Sequence, residues 1–194
     1  MGESKVYDVL QEMLTDRGYQ TSEMYETFDD WKHDGCEGQV ISKGKSKIFI
    51  YWSTGKIGTD VIKKLIVKIR EETENETSSL KRCILVIESV ITAEAKNIIK
   101  NLRTSSNIFI EVFTHDFFAF NRSRHVLVPK HRICPSSEMK EILEKYKVDR
   151  KHMPTILSDD VQNRYLGGLP GQMIRIERKS ETMGEPIFTY KIVK

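Results

Sequence analysis

Apolar residues stand at Val6, Val9, Leu10, Met13 and Leu14, a spacing that predicts a helix through "YDVLQEML". "TDRGYQT" follows, where Gly18 can take the left-handed conformation that closes a helix. Ser22 is the expected cap of a second helix with Met24, Tyr25, Phe28 and Trp31 as its apolar stripe. "HDGCEGQVISKGKS" has three glycines and little periodicity, and is expected as a loop. The pattern then changes. "KIFIYWS" (47–53) is rich in β-formers, and residues 58–76 carry Val61, Leu65, Ile66 and Ile69 on one helical face before a polar, acidic linker. "RCILVIES" (82–89) is almost continuously apolar, as a strand buried on both faces must be. A helix over 92–103 and a strand over 107–113 complete the series. Strand, helix, strand, helix, strand implies an α/β domain: a small sheet flanked by helices and joined by right-handed crossovers.

From about His125 the pattern is different. "HVLVPKHRI" is extended and interrupted by Pro129, which suits an edge strand. Pro135 fits the first turn of a helix carrying Met139, Ile142, Leu143 and Tyr146. A short helix is expected over Asp159–Tyr165, then two alternating strands, "GQMIRIERK" and "PIFTYKIVK", joined by "SETMGE" as an antiparallel pair. This is a compact α+β unit. The boundary is expected near Asn121–Arg124, dividing the chain into domains 1–122 and 124–194.

Composition narrows the classes. With 194 residues, 39% apolar and 30% charged, the chain can bury a core. No run approaches the 18 uncharged apolar residues of a membrane span, so no membrane partner is expected. Glu3 and Asp8 interrupt any signal-type apolar segment, and Val6 occupies the Ser/Thr position of a myristoylation motif, so neither is expected. Cys36, Cys83 and Cys134 are odd in number and widely spaced, without a CxxC. This argues against zinc or a disulfide framework and for a reducing compartment. The net charge is +3. Residues 125–194 hold 13 Lys+Arg against 9 Asp+Glu, and residues 1–124 hold 18 against 19. The C-terminal third is the basic part, with too small an excess to declare a nucleic-acid binder.

Several motifs suggest chemistry, and each lacks a residue it would need. "YLGGLPGQ" is rich in glycine, but position 172 is Gln172 where a Walker A loop needs glycine, and no Lys-Ser/Thr pair follows. Its glycines also run from a helix into a strand, the reverse of a dinucleotide loop, so they read as a turn. A restriction-type nuclease would need an acid-x-Lys pair on a strand. Glu88 meets Val90 at the lysine position and Glu111 meets Phe113, so no such pair exists and Glu88 reads as a surface strand end. His115 and Asp116 are adjacent, and His125, His131 and His152 have no evident nucleophile, Ser123 lying in the expected linker. Lys63, Lys64, Lys68 and Arg70 form a basic stripe, but Glu71, Glu72 and Glu74 follow at once, as on a solvated helix. The segment Val90–Lys96 can cap a helix through Thr92 at the carboxyl edge of a sheet, where ligands collect in open α/β folds. No catalytic residue, metal or cofactor is expected.

The C-terminal third carries a resemblance. In order stand "HVLVPKH", "EILEKY", "MPTILSDD", "RYLGGLPG" and "IERKSETMG". They resemble the patterns of the fifth subunit shared by eukaryotic nuclear RNA polymerases, whose archaeal counterpart is little more than this domain. "MLTDRGY" and "ITAEAKNII" are similar to the family's "V-x-D-R-G-Y" and "I-T-P-S-A" segments. The resemblance implies a jaw domain (1–122), an assembly domain (124–194) that docks on the largest catalytic subunit, and a non-catalytic role in transcription. Residues expected to dock or to fix the turns are Arg164, Tyr165, Gly167, Gly168, Gly171, Arg175, Arg178, Ser180, Glu181 and Thr182; Thr92, Ala93 and Lys96 are expected near downstream duplex DNA. Other polymerase subunits are implied partners, and no small-molecule substrate is expected. Two positions depart from the family: Ala93-Glu94 replaces Pro-Ser, placing a carboxylate that repels phosphate, and Asp159-Asp160-Val161 lacks the usual proline. A divergent eukaryote, with the chain in the nucleus, would account for these departures. So would a large DNA virus encoding its own polymerase, with the chain in a cytoplasmic viral factory or virion. The alternatives from other classes are a free-standing nucleic-acid binder and a degenerate nuclease.

Overall fold

The computed structural model describes residues 2–33, 38–44, 46–72, 81–179 and 185–194, in two compact units, 1–120 and 121–194. In the first unit a four-stranded sheet has the order β1-β2-β3-β4: β1 (Gly38–Lys43), β2 (Ser46–Ser53), β3 (Lys81–Ile87) and β4 (Ile108–Thr114). Strands β2, β3 and β4 run parallel, and β1 pairs antiparallel with β2. Helix α3 (Thr59–Glu72) crosses from β2 to β3, and α4 (Ala93–Ser106) from β3 to β4. Alternation sorts the side chains. Phe49, Cys83, Leu85, Ile87, Ile108 and Ile110 face α3 and α4, meeting Ile62, Leu65, Ile69, Ala95 and Leu102 in one core.

The opposite face meets α1 (Glu3–Asp16) and α2 (Phe28–His33). Val6, Val9, Leu10, Met13 and Leu14 are all buried on α1. Gly18 closes that helix at φ +83: its N–H reaches Thr15 O, and Tyr19 N–H reaches Leu14 O. An aromatic group follows, with Phe28 4.5 Å and Trp31 5.8 Å from Trp52 between ring centres. Strand β3 lies between β2 and β4 with helices over both faces, which is why its run is continuously apolar.

Two expectations are corrected. Ser22 does not cap α2. It lies in a three-residue 3-10 turn (Thr21–Glu23), and Thr27 is the cap, its Oγ accepting from Asp30 N at 3.2 Å while Thr27 N donates to the Asp30 carboxylate. Nor is the whole of 33–46 a loop, since Gly38–Lys43 is strand β1. Ile41 alone is fully buried on β1, so the strand shows little alternation. Gly38 belongs there for space: a Cβ would sit 2.4 Å from the Phe49 ring and 2.9 Å from Ile50 O. Cys36 and the 73–76 end of the expected third helix lie outside the described residues.

One feature of this unit has no counterpart among the expectations. Glu111, on β4, is buried, and its carboxylate takes two bonds from Arg17 (2.8 and 3.1 Å) and one from Arg82 (2.8 Å). The Arg17 side chain is 3% exposed and that of Glu111 7%. The triad ties the end of α1 to the sheet, and Lys43 Nζ bonds Arg17 O nearby. Burial alone would raise the Glu111 carboxyl, but the charges and hydrogen bonds of Arg17 and Arg82 hold it below its ordinary value.

The second unit has a four-stranded sheet of order β5-β7-β8-β6: β5 (Lys130–Ile133), β6 (Thr155–Ile156), β7 (Met173–Lys179) and β8 (Pro186–Val193). The β7–β8 pair is antiparallel, as its alternation predicts, and β6 adds in parallel. Helix α5 (Ser136–Tyr146) lies on one face, where Cys134, Met139, Ile142, Met173 and Ile192 pack. Ile156, Ile174, Ile176 and Val193 fill the other face, with Leu166 of α6 (Val161–Leu166) against them. Residues 125–128 form a turn, not the start of an edge strand: Val128 N donates to His125 O at 2.9 Å, and β5 begins only after Pro129.

Breaking the buried triad on one side should cost heavily. Glu111→Gln is expected to destabilise the chain by about 3–5 kcal/mol, because Arg17 stays buried without its counter-charge. The double variant Arg17→Met/Glu111→Met should lose less than the sum of its single changes. The pH dependence has a definite sign. The folded carboxyl is the lower one, so its contribution is complete above the ordinary carboxylate value of 4.5 and is lost as pH falls through the lowered value. Urea unfolding at stepped pH should give Glu111→Gln a shallower decline below that point than the parent.

Candidate interaction surfaces

Among the described residues no group of three His, Cys, Asp or Glu side chains could hold a metal ion. Glu111 is occupied by its two arginines. Glu88 is an exposed strand end 3.6 Å from His115 Nδ1. Ser123 donates to Gln162 Oε1 at 2.8 Å, not to a histidine.

The glycine-rich turn is closed on itself. Asp160 caps α6, its carboxylate accepting from Gln162 N and Asn163 N at 2.9 and 3.3 Å. Gly167 ends the helix at φ +69, donating to Arg164 O, and Gly168 N donates to Asn163 O. Leu169 N then reaches Gln172 Oε1 at 2.7 Å, Pro170 has no N–H, Gly171 N reaches Val193 O at 2.8 Å, and Gln172 N reaches Leu169 O. Every amide from 167 to 172 thus has an internal acceptor. A phosphate cradle needs those donors free and aimed outward, so this turn cannot be one.

The residues expected to dock or shape the turn divide by position. Tyr165 is buried and its hydroxyl accepts from Asn121 Nδ2 at 2.9 Å. Gly168 lies against buried Asn163, and a Cβ there would stand 2.1 Å from Asn163 Oδ1. Gly171 turns at φ +87 in open space. These positions set the turn's shape. Arg164 is half-buried on α6. Arg175 lies 3.7 Å over the Phe188 ring, with Nη1 3.7 Å from Glu138 Oε1. Glu138 is also gripped by both Arg132 nitrogens (2.6 and 2.7 Å), hydrogen bonds that hold its carboxyl below the usual value. Arg178 is exposed on β7, opposite Ile187. Ser180, Glu181 and Thr182 lie outside the described residues.

In the first unit Thr92 caps α4, its Oγ1 accepting from Ala95 N at 3.3 Å, while Thr92 N is bonded to Ile57 O. Ala93, Glu94 and Lys96 are exposed on the first turn. The triad was not among the expected features, although a lone acid inside the apolar run "IFIEVF" is its signal. Nor were Asn163 and Asn121, short polar residues that the sequence does not distinguish from ordinary loop positions.

Residues 120–193 match the family model described as RNA polymerase Rpb5, C-terminal domain. Over 146 residues the chain is 32% identical to "DNA-directed RNA polymerases I, II, and III subunit rpabc1" of Dictyostelium discoideum, covering 75% of this chain and 71% of that one. The Caenorhabditis elegans subunit RPABC1 is 30% identical over 76% of this chain and 66% of its own. "DNA-directed RNA polymerase subunit 5-like protein 1" of Arabidopsis thaliana is 29% identical over 96% and 93%.

The turn yields a contrast between two glycines. Gly168→Ala forces a Cβ into Asn163 and should cost about 1–3 kcal/mol by overpacking. Gly171→Ala meets nothing but must hold a left-handed backbone, at about 1–2 kcal/mol. Asn163→Ala should recover part of the Gly168→Ala loss in the double variant and none of the Gly171→Ala loss. Urea midpoints of the single and double variants measure this.

Proposed function

This chain belongs to the Rpb5 family of DNA-directed RNA polymerase subunits, and on that premise we propose that residues 121–194 dock it on the largest subunit, with residues 1–120 set as a jaw beside downstream DNA. Its role is that of a non-catalytic subunit of the polymerase, and the compartment that goes with this role is the nucleus. The observation that carries the docking reading is the uneven exposure of apolar side chains. Of the ten large hydrophobic residues exposed among those described, seven lie in the second unit: Val126, Leu127, Tyr146, Leu157, Val161, Ile187 and Phe188. The second unit leaves more large apolar side chains to solvent than the first, which supports the reading that part of its surface is covered in use.

Val126 and Leu127 are the most exposed, at 92% and 83%. They sit on a turn pinned at both levels: Val128 N donates to His125 O, and Leu127 N donates to His125 Nδ1 at 3.2 Å. A preformed turn presenting two apolar side chains loses little further freedom on binding, which favours an anchor. Arg164 and Arg178 lie in the same unit as polar contacts, and Ser180, Glu181 and Thr182, which follow β7 in sequence, are docking residues in this reading. The jaw role of Thr92, Ala93 and Lys96 rests on the family resemblance. Glu94 beside them limits how closely a phosphate could approach.

Val126→Asp/Leu127→Asp removes no buried contact, so its thermal midpoint should stay within about 2 °C of the parent. Co-elution with a co-expressed largest subunit should fall at least about tenfold. Unchanged co-elution would remove this turn from the interface. The isolated chain, with a net charge of only +3, should bind duplex DNA more weakly than about 1 μM at physiological salt, read by fluorescence anisotropy.

A further inference from the structure

The two outer sides of the second sheet are protected unequally. Strand β5 reads KHRI, with the charges of Lys130 and Arg132 along it, and charge on an edge strand discourages further pairing. On the other side β6 covers only the end of β8, pairing Thr155 and Ile156 with Ile192 and Val193. Upstream of Pro154 the chain leaves that lane as the 3-10 turn Arg150–His152. The rest of β8 reads PIFTYK, in which positions 187–190 hold four uncharged residues that favour strands and Lys191 is the one charge. Its protective residues stand at the two ends, Pro186 and Lys191, and positions 187–190 between them carry none.

The register fixes which backbone groups face outward. Val193 N donates toward β7, to Gln172 O, whereas Ile192 N and Lys194 N donate to Pro154 O and Ile156 O on the β6 side. Antiparallel alternation carries this upstream: Ile187, Thr189 and Lys191 bond to β7, and Phe188 and Tyr190 point N–H and C=O away from it. Among the described residues these outward amides have no acceptor. Ile187 and Phe188, on opposite faces of this edge, are 47% and 38% exposed. Arg178 stands opposite Ile187, and Lys191 shares that face.

An uncharged, β-rich edge with unpaired amides is a template for strand addition. We infer that this edge of β8 takes an added strand from the polymerase subunit that holds the chain, an inference that rests on the docking reading above. The lane beside Pro186–Tyr190 is about 17 Å long at ~3.4 Å per residue. The incoming segment is extended, apolar against Ile187 and Phe188, and carries carboxylates toward Arg178 and Lys191. Its bond partners are the N–H and C=O groups of Phe188 and Tyr190.

Residue-resolved amide exchange on the full chain, free and co-purified with a co-expressed largest subunit, tests this. The amides of Phe188 and Tyr190 should exchange freely in the isolated chain and slow at least about 100-fold in the complex, while Ile187 and Thr189 are protected in both. A complex in which Phe188 and Tyr190 exchange as before overturns strand addition and leaves docking intact. Failure to form any complex overturns both. Phe188→Pro removes an outward N–H without touching the β7 bonds, and should weaken the complex at least about tenfold. Phe188→Ala, which keeps the backbone donor, should weaken it less. A self-dimer in sedimentation that Phe188→Pro dissolves would show that the edge pairs with a second copy, and would overturn the choice of occupant.

Discussion

A polar group taken out of water must find a partner, and the arrangement of both units follows from how that demand is met. In the first unit it concerns a charge. Glu111 interrupts an apolar strand and lies in the core, and the chain supplies Arg17 from the end of α1 and Arg82 from β3. Residues distant in sequence are thereby fixed to one point. The first helix cannot shift along the sheet without stranding a buried carboxylate, a penalty of several kcal/mol. The "DRGY" segment reads clearly in this light: the arginine reaches the buried acid, and the glycine gives the left-handed turn that ends the helix.

In the second unit the demand concerns backbone amides, and it separates a closed region from an open one. The glycine-rich turn meets it entirely from within, so its resemblance to a phosphate loop ends with its composition. The outer edge of β8 leaves its amides to water beside exposed Ile187 and Phe188. The hairpin and the turn therefore have different tasks. Gly167, Gly168 and Gly171 shape the turn, and the strand pair that follows carries the exposed Ile187 and Phe188.

Much of this was legible in the sequence, for identifiable reasons. Long elements with strong periodicity, such as α1, α3 and the β7–β8 pair, leave a pattern that one chain alone carries. The continuous run of β3 announced a strand covered on both faces. Strand β1 was not legible, because its place depends on Gly38 letting the Phe49 ring approach, a fact about a partner strand. The cap of α2 was misplaced at Ser22 because a 3-10 turn intervenes, and the reciprocal bonds of Thr27 and Asp30 lie five residues further on. The triad escaped because pairing across 94 positions leaves no local spacing to find. Several residues proposed for docking, Tyr165 and Gly168 among them, stand inside the turn. The most exposed apolar pair, Val126 and Leu127, looked in sequence like part of a strand.

On the proposed function, a polymerase holds this chain through its C-terminal unit. An electron cryomicroscopy map of the polymerase purified through a tag on the full chain tests it most directly. The expected map shows one copy, with residues 121–194 seated on the largest subunit. A particle without the chain, or one that holds it only through residues 1–120, would contradict it.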